Sequence, residues 1–174
     1  RCIQANNAQG ETRFFEYDAL DRIRNLYLPD GNHIKLEYNA YTDITKATDK
    51  YGQMQFEYTP LGKVKKSRQA GSEQQYVYDT EERLVTIINE AGHHYRFEYN
   101  KRGEVVAETG FVGMTYRHEL DGTGRILKTL RPGGRFTKYE YDASDNIVRT
   151  EFHDGSWESY NYDKEGNLVE ASNE

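Results

Sequence analysis

Hydrophobic and polar positions along this chain alternate in short bursts, and no window sustains the 3.6-residue spacing of an amphipathic helix. "HHYRFEY" shows the alternation, with Tyr95, Phe97 and Tyr99 on one parity and polar residues between them. Period two with aromatic enrichment predicts half-buried strands. A short polar stretch follows each burst, and an aliphatic residue then opens the next run. Turn residues punctuate the runs, as in "LPDGN" and "RPGGR", where Pro29 and Pro132 sit at turn positions. The pattern predicts an all-β fold built from antiparallel hairpins.

The bursts are phased. Tyrosine recurs as Tyr17, Tyr38, Tyr58, Tyr78, Tyr99, Tyr141 and Tyr162, with Leu120 in the one vacancy, at steps of 20 or 21 residues. Six residues after each comes an aliphatic: Ile23, Ile44, Val64, Leu84, Val105, Ile126, Ile147 and Leu168. Six or seven residues before each comes a glycine: Gly10, Gly31, Gly52, Gly71, Gly92, Gly113, Gly134 and Gly155. Two residues before it the chain is aromatic or aliphatic, except at His118. These columns define about eight repeats of 20–21 residues, each a two-strand hairpin that cannot bury its own face and must pair with its neighbours. About sixteen strands at ~4.8 Å spacing would form a ribbon on the order of 75 Å long, and so large a sheet must twist and curl. Facing residues share a side of the sheet, so Tyr99 is expected opposite Val105 across a five-residue loop. Residues 10–174 read as one structural domain, and residues 1–9 as a lead-in outside the repeat phase.

The repeat resembles the YD repeat, also called the RHS repeat. Its pattern of Tyr-Asp, two variable residues, Gly, Arg and an aliphatic stands here as "YDALDRI", "YDTEERL", "YDASDNI" and "YDKEGNL". Looser copies are "YNAYTDI", "YTPLGKV", "YNKRGEV" and "LDGTGRI", and the resemblance runs from about Gly10 to the end of the chain. The family occurs in bacterial RHS toxins, the C components of insecticidal toxin complexes, cell-wall-associated proteins and animal teneurins. It implies a β-strip that spirals into a hollow shell, which in the toxins encloses a C-terminal effector. It also implies a secreted or cell-surface setting, with the rest of the polypeptide shell and an enclosed effector as partners. The family's self-cleaving core uses acidic residues in a DPxG-type setting. No such segment stands here, so no catalytic residue carries over; "LPDG" is a repeat turn. The chain opens on Arg1 rather than Met and is expected to be part of a larger protein.

Composition sharpens this picture. Leu, Ile, Val and Phe total only 33 residues, but 15 tyrosines supply burial area while keeping a hydroxyl wet or bonded. A thin, Tyr-rich layer is expected in place of a thick aliphatic core. The net charge of −6, with acids and bases interleaved, disfavours nucleic acid as a partner. No run approaches the ~20 apolar residues of a membrane helix. A lone Cys2 excludes an internal disulfide framework.

The chemistry-bearing residues all have a turn or strand role. Acid pairs such as Asp18–Asp21 and Asp142–Asp145 recur at one turn, where Asp and Asn bond their own backbone. His93 and His94 point to opposite faces of a strand and cannot share an ion. No metal, cofactor or catalytic site is expected. The tyrosine rows leave an alternative open, a carbohydrate or cell-surface binding module that stacks ligands on exposed rings. Trp157, outside the phased columns, is its candidate ligand-facing aromatic. Finally, a ribbon has two strand edges, which predicts either edge-to-edge self-association or cover for one edge by residues 1–9.

Overall fold

The computed structural model describes residues 1–174. The fold is all-β, with seventeen strands and a single 3-10 turn at Pro132–Gly134. The strands are β1 (Gln4–Asn6), β2 (Thr12–Tyr17), β3 (Ile23–Tyr27), β4 (His33–Tyr38), β5 (Ile44–Asp49) and β6 (Gly52–Tyr58). They continue as β7 (Val64–Gln69), β8 (Ser72–Tyr78), β9 (Leu84–Ile88), β10 (His94–Tyr99), β11 (Val105–Thr109) and β12 (Thr115–Leu120). The last are β13 (Ile126–Leu130), β14 (Phe136–Tyr141), β15 (Ile147–Phe152), β16 (Trp157–Tyr162) and β17 (Leu168–Asn173).

Two compact units make up the chain: Arg1–Val77 with Ile87–Gly92, and Tyr78–Thr86 with His93–Glu174. In the first, β1 to β8 each pair with the next, always antiparallel. In the second, β10 to β17 do the same. The lead-in thus contributes a strand of its own: Gln4, Ala5 and Asn6 face Phe14, Arg13 and Thr12 and cover one side of β2.

Within each hairpin the tyrosine faces the aliphatic residue six positions on, as the parity argument requires. Tyr17 faces Ile23, Tyr38 faces Ile44, Tyr58 faces Val64, Tyr99 faces Val105, and the vacancy Leu120 faces Ile126. The next pair along each ladder skips a residue: Glu98 faces Ala107, leaving Val106 as a bulge. The same bulge follows Tyr141 and Tyr162. It was not foreseen from the sequence. One extra residue per hairpin bends the return strand and raises the local twist.

The 20- and 21-residue steps correspond to two kinds of turn at the opposite end of the hairpins. Tyr27 and His33 close a five-residue loop, as do Thr109 and Thr115. Asp49 faces Gly52 and Gln69 faces Ser72, so these turns hold two residues only. They fall in the two repeats with the shorter step.

Burial follows the strand parity. β10 alternates exposed and half-buried residues, with Tyr95, Phe97 and Tyr99 on the covered side. Ala107 is the one buried hydrophobic residue, and Asn32, Thr129, Thr137 and Thr150 are the buried polar ones. The expected thin layer is what forms: stability is distributed along a ladder of cross-strand pairs and not gathered in a central core.

Candidate functional site

The feature that recurs with the repeat is a lock at the tyrosine end of each hairpin. It begins with the residue after the tyrosine. Asp18 donates its backbone N–H to the Arg22 carbonyl at 2.9 Å, and its own carbonyl accepts from the Asp21 N–H at 3.2 Å. Its Oδ1 accepts the N–H groups of Leu20 and Arg22 at 2.9 and 3.1 Å. Its Oδ2 takes Nε of Arg22 at 2.7 Å. One carboxylate therefore satisfies the loop's backbone donors and anchors the guanidinium. Asp79 with Arg83 and Asp121 with Arg125 repeat the arrangement. Asn39, Asn100, Asp142 and Asp163 keep the backbone part and use an acid or amide partner.

The turn imposes a positive φ on the fourth residue after the tyrosine. Glycine meets it at Gly103 (81°), whereas Asp21, Thr42, Glu82 and Asp145 adopt it at 60–76°. Those four positions carry backbone strain of about 1–3 kcal/mol each, held by the hydrogen bonds around them.

Electrostatics favour the ionised turn acids. The Arg125 side chain, with the Thr123 hydroxyl and nearby backbone N–H groups, holds the Asp121 carboxyl well below the usual range. Backbone and side-chain bonds from Arg83 lower Asp79 in the same sense.

The tyrosine then reaches back to the previous hairpin. Tyr38 donates its hydroxyl to the Ile23 carbonyl at 2.7 Å, and Tyr58 to that of Ile44 at 2.6 Å. Tyr99 donates to Leu84 at 2.7 Å, Tyr141 to Ile126 and Tyr162 to Ile147 at 2.9 Å. The acceptor in each case is the aliphatic residue of the column. Over the same rings lie the anchored arginines of the preceding repeat: Arg22 over Tyr38 at 4.6 Å, Arg83 over Tyr99 and Arg125 over Tyr141 at 4.9 Å. Asp fixes Arg, Arg covers the next ring, and that ring's hydroxyl closes on the backbone between them.

Residues 1–9 prove to be in phase with this lock. Tyr17 donates to the Cys2 carbonyl at 2.6 Å, and Arg1 lies 5.9 Å from its ring centroid. Arg1 and Cys2 occupy the places of Arg22 and Ile23. Cysteine there stands in an otherwise aliphatic column, and no glycine column precedes it.

The glycine column lies at the opposite turns, where all eight members have positive φ. Trp157 begins β16 on the face away from the tyrosine column, opposite Glu151. Its Nε1 donates to Glu174 at 3.1 Å, and the Arg149 guanidinium lies 4.8 Å from its ring. No group of His, Cys, Asp and Glu side chains is arranged to hold a metal ion.

Sequence reasoning missed a second column. Glutamate immediately precedes the tyrosine position in six of eight repeats: Glu16, Glu37, Glu57, Glu98, Glu119 and Glu140. Parity puts this column on the other face, and cross-strand from it stand Asn25, Lys46, Lys66, Ala107, Lys128 and Arg149. Its signal in the sequence is the polar residue within "FEY", "LEY" and "YEY". The face opposite the tyrosine column thus carries a row of glutamates, four of them facing a lysine or arginine across the strand.

Comparisons with known proteins bear on the repeat as a whole. The family model of the Teneurin YD-shell matches residues 15–136. Among solved structures, the chain is similar to one in the crystal structure of TcdB2–TccC3–TEV, at TM-score 0.65 and 11% identity, over 98% of this chain and 12% of that one. A chain in the structure of the Photorhabdus luminescens Tc holotoxin pore aligns at TM-score 0.48 and 16% identity, over 94% of this chain and 9% of that one. At these identities the likeness is one of fold alone, and this chain spans about a tenth of the length of the chains it matches. No curated protein matches it.

Proposed function

The chain belongs to the Teneurin YD-shell family, and on that premise we propose that it is a non-catalytic wall segment of an RHS-type β-shell, one that encloses or presents a toxin or effector domain within a large secreted or surface protein. The observation that carries this reading is the lock. Five hairpins offer the same backbone carbonyl to the next tyrosine, and Arg22, Arg83 and Arg125 lie over the next ring, so repeats can be added without a closing core. A wall needs that property, whereas a catalytic domain needs a pocket with convergent titratable groups. The aspartates that follow the tyrosines are committed to their own turns.

The test uses the full-length protein that contains this chain. Limited proteolysis, followed by mass mapping, should leave the enclosed domain intact until the shell itself is cut. Cleavage of that domain at the rate of the same domain expressed free would overturn the enclosing role.

A second reading, carbohydrate or cell-surface binding, draws on one patch. Phe14, Tyr27 and His33 face one another across β2, β3 and β4 on the side away from the tyrosine column. Tyr27 and His33 stack at 4.5 Å, and Phe14 is 50% exposed. The repeat does not require these rings. Binding of the chain to a glycan array, abolished by Phe14→Ala, would support this reading; an array without signal would remove it.

A further inference from the structure

The lock does more than decorate the ladder; it takes over where the ladder stops. Between hairpins, β13 and β14 pair over only three residues each, Lys128–Leu130 with Phe136–Lys138. β15 pairs with β16 over Arg149–Glu151 and Trp157–Ser159, and β11 with β12 over Ala107–Thr109 and Thr115–Arg117. In each case the pairing ends before the bulge. Beyond it, toward the five-residue turns, the Tyr141 hydroxyl and the stacked Arg125 connect β13 to β14, and the Tyr162 hydroxyl connects β15 to β16.

One boundary in the second unit has neither. Leu120 stands in the tyrosine column and has no hydroxyl to offer Val105, the residue equivalent to Leu84, Ile126 and Ile147. The arginine is gone as well: Glu104 occupies the place of Arg83 and Arg125, and accepts from Asn100 Nδ2 at 2.7 Å within its own turn. Ring and cation are both absent at this boundary, whereas Tyr58 and Tyr162 keep the hydroxyl bond where Asp43 and Asn146 stand in the arginine's place.

A different connection replaces them. Arg102, at the turn tip, sends Nη1 to the Gly122 carbonyl at 2.7 Å and Nη2 to that of Asp121 at 3.1 Å. The same Nη2 lies 2.8 Å from Glu104 Oε2, and the Arg102 side chain is 52% exposed. A solvent-exposed arginine spanning two turn tips holds less firmly than a half-buried hydroxyl bond under a stacked ring, because water competes for every donor.

We propose that the boundary between the β10–β11 and β12–β13 hairpins is a hinge built into the repeat array. The turn-side half of the β12–β13 hairpin swings from its neighbour while the three backbone pairs of β11 and β12 hold. The proposal goes beyond the shell reading and does not depend on it, since it concerns the opening of one unit whatever that unit encloses.

Hydrogen exchange followed by mass spectrometry on the full chain tests it. Protection should be about five- to tenfold lower at Val105–Ala107 and Leu120–Gly124 than at the equivalent segments Ile126–Lys128 and Tyr141–Asp145, the loss expected for one hydrogen bond of ordinary strength. Glu104→Arg combined with Leu120→Tyr should bring the seam to its neighbours' level. Arg102→Ala should lower protection further at the seam and leave the Ile126–Tyr141 boundary unchanged. Equal protection at both boundaries in the unaltered chain would overturn the hinge, as would Arg102→Ala acting equally at both. If the double variant does not fold by circular dichroism, the unaltered chain and Arg102→Ala still decide the question.

Discussion

Tyr99→Ala and Leu120→Ala remove side chains from the same column in adjacent repeats of one unit, and the lock makes their costs differ. Tyr99 gives up a hydroxyl bond to the Leu84 carbonyl, worth about 1 kcal/mol net. It also gives up a half-buried ring, which at partial burial contributes about 1–2 kcal/mol. Its loss should therefore cost about 2–3 kcal/mol. Leu120 is half-buried, has no hydroxyl and receives no guanidinium, so its truncation should cost about 1 kcal/mol. Tyr99→Phe separates the two contributions and should fall near 1 kcal/mol, the hydroxyl alone. Urea denaturation read by tyrosine fluorescence and by circular dichroism would give the differences, provided the slope stays constant across the series. For a unit of this size each kcal/mol also moves the melting temperature by about 4–8 °C. Leu120→Ala costing as much as Tyr99→Ala, or Tyr99→Phe costing nothing, would refute the claim that the hydroxyl closes the boundary.

Two titrations offer further checks. Asp121→Asn should keep the turn, since Asn39 and Asn100 serve the same backbone donors, but it forfeits the charge that pairs with Arg125. The carboxyl is depressed in the fold, so its contribution is present above the ordinary aspartate range and is lost as pH falls through the folded value. The stability gap between the native chain and this variant should narrow as pH drops below about 4 and vanish in strong acid; a gap independent of pH would contradict the assignment. Tyr95 donates to Glu108 at 2.6 Å, and that bond, with burial, pushes its phenol up to about 12. A phenol raised in the fold stabilises below its unfolded value near 10 and loses that contribution as pH climbs through the folded one. Absorbance at about 295 nm should show a component titrating near 12 that Tyr95→Phe removes, and an unchanged curve in that variant would contradict the assignment.

The sequence by itself determined what is local to a hairpin. Strand parity follows from alternating residues, so "HHYRFEY" settled which side of β10 is covered. Five residues between Tyr99 and Val105 determined their pairing, because facing residues must share a side. The aspartate after the tyrosine announced its turn, since its carboxylate bonds backbone only two and four residues away. Even the shorter steps at Tyr58 and Tyr78 held information, as a missing residue leaves room for a two-residue turn. The tertiary structure decided what passes between hairpins. The bulge beside each tyrosine ends the inter-hairpin ladder, and only then does a carbonyl some 15 residues upstream come within reach of the hydroxyl. No spacing rule links Arg83 to the ring of Tyr99, because their contact depends on the twist of two adjacent hairpins. The same cause hid the place of Arg1 and Cys2: their residue types do not match the column, and their phase shows only through the partner they meet across the sheet.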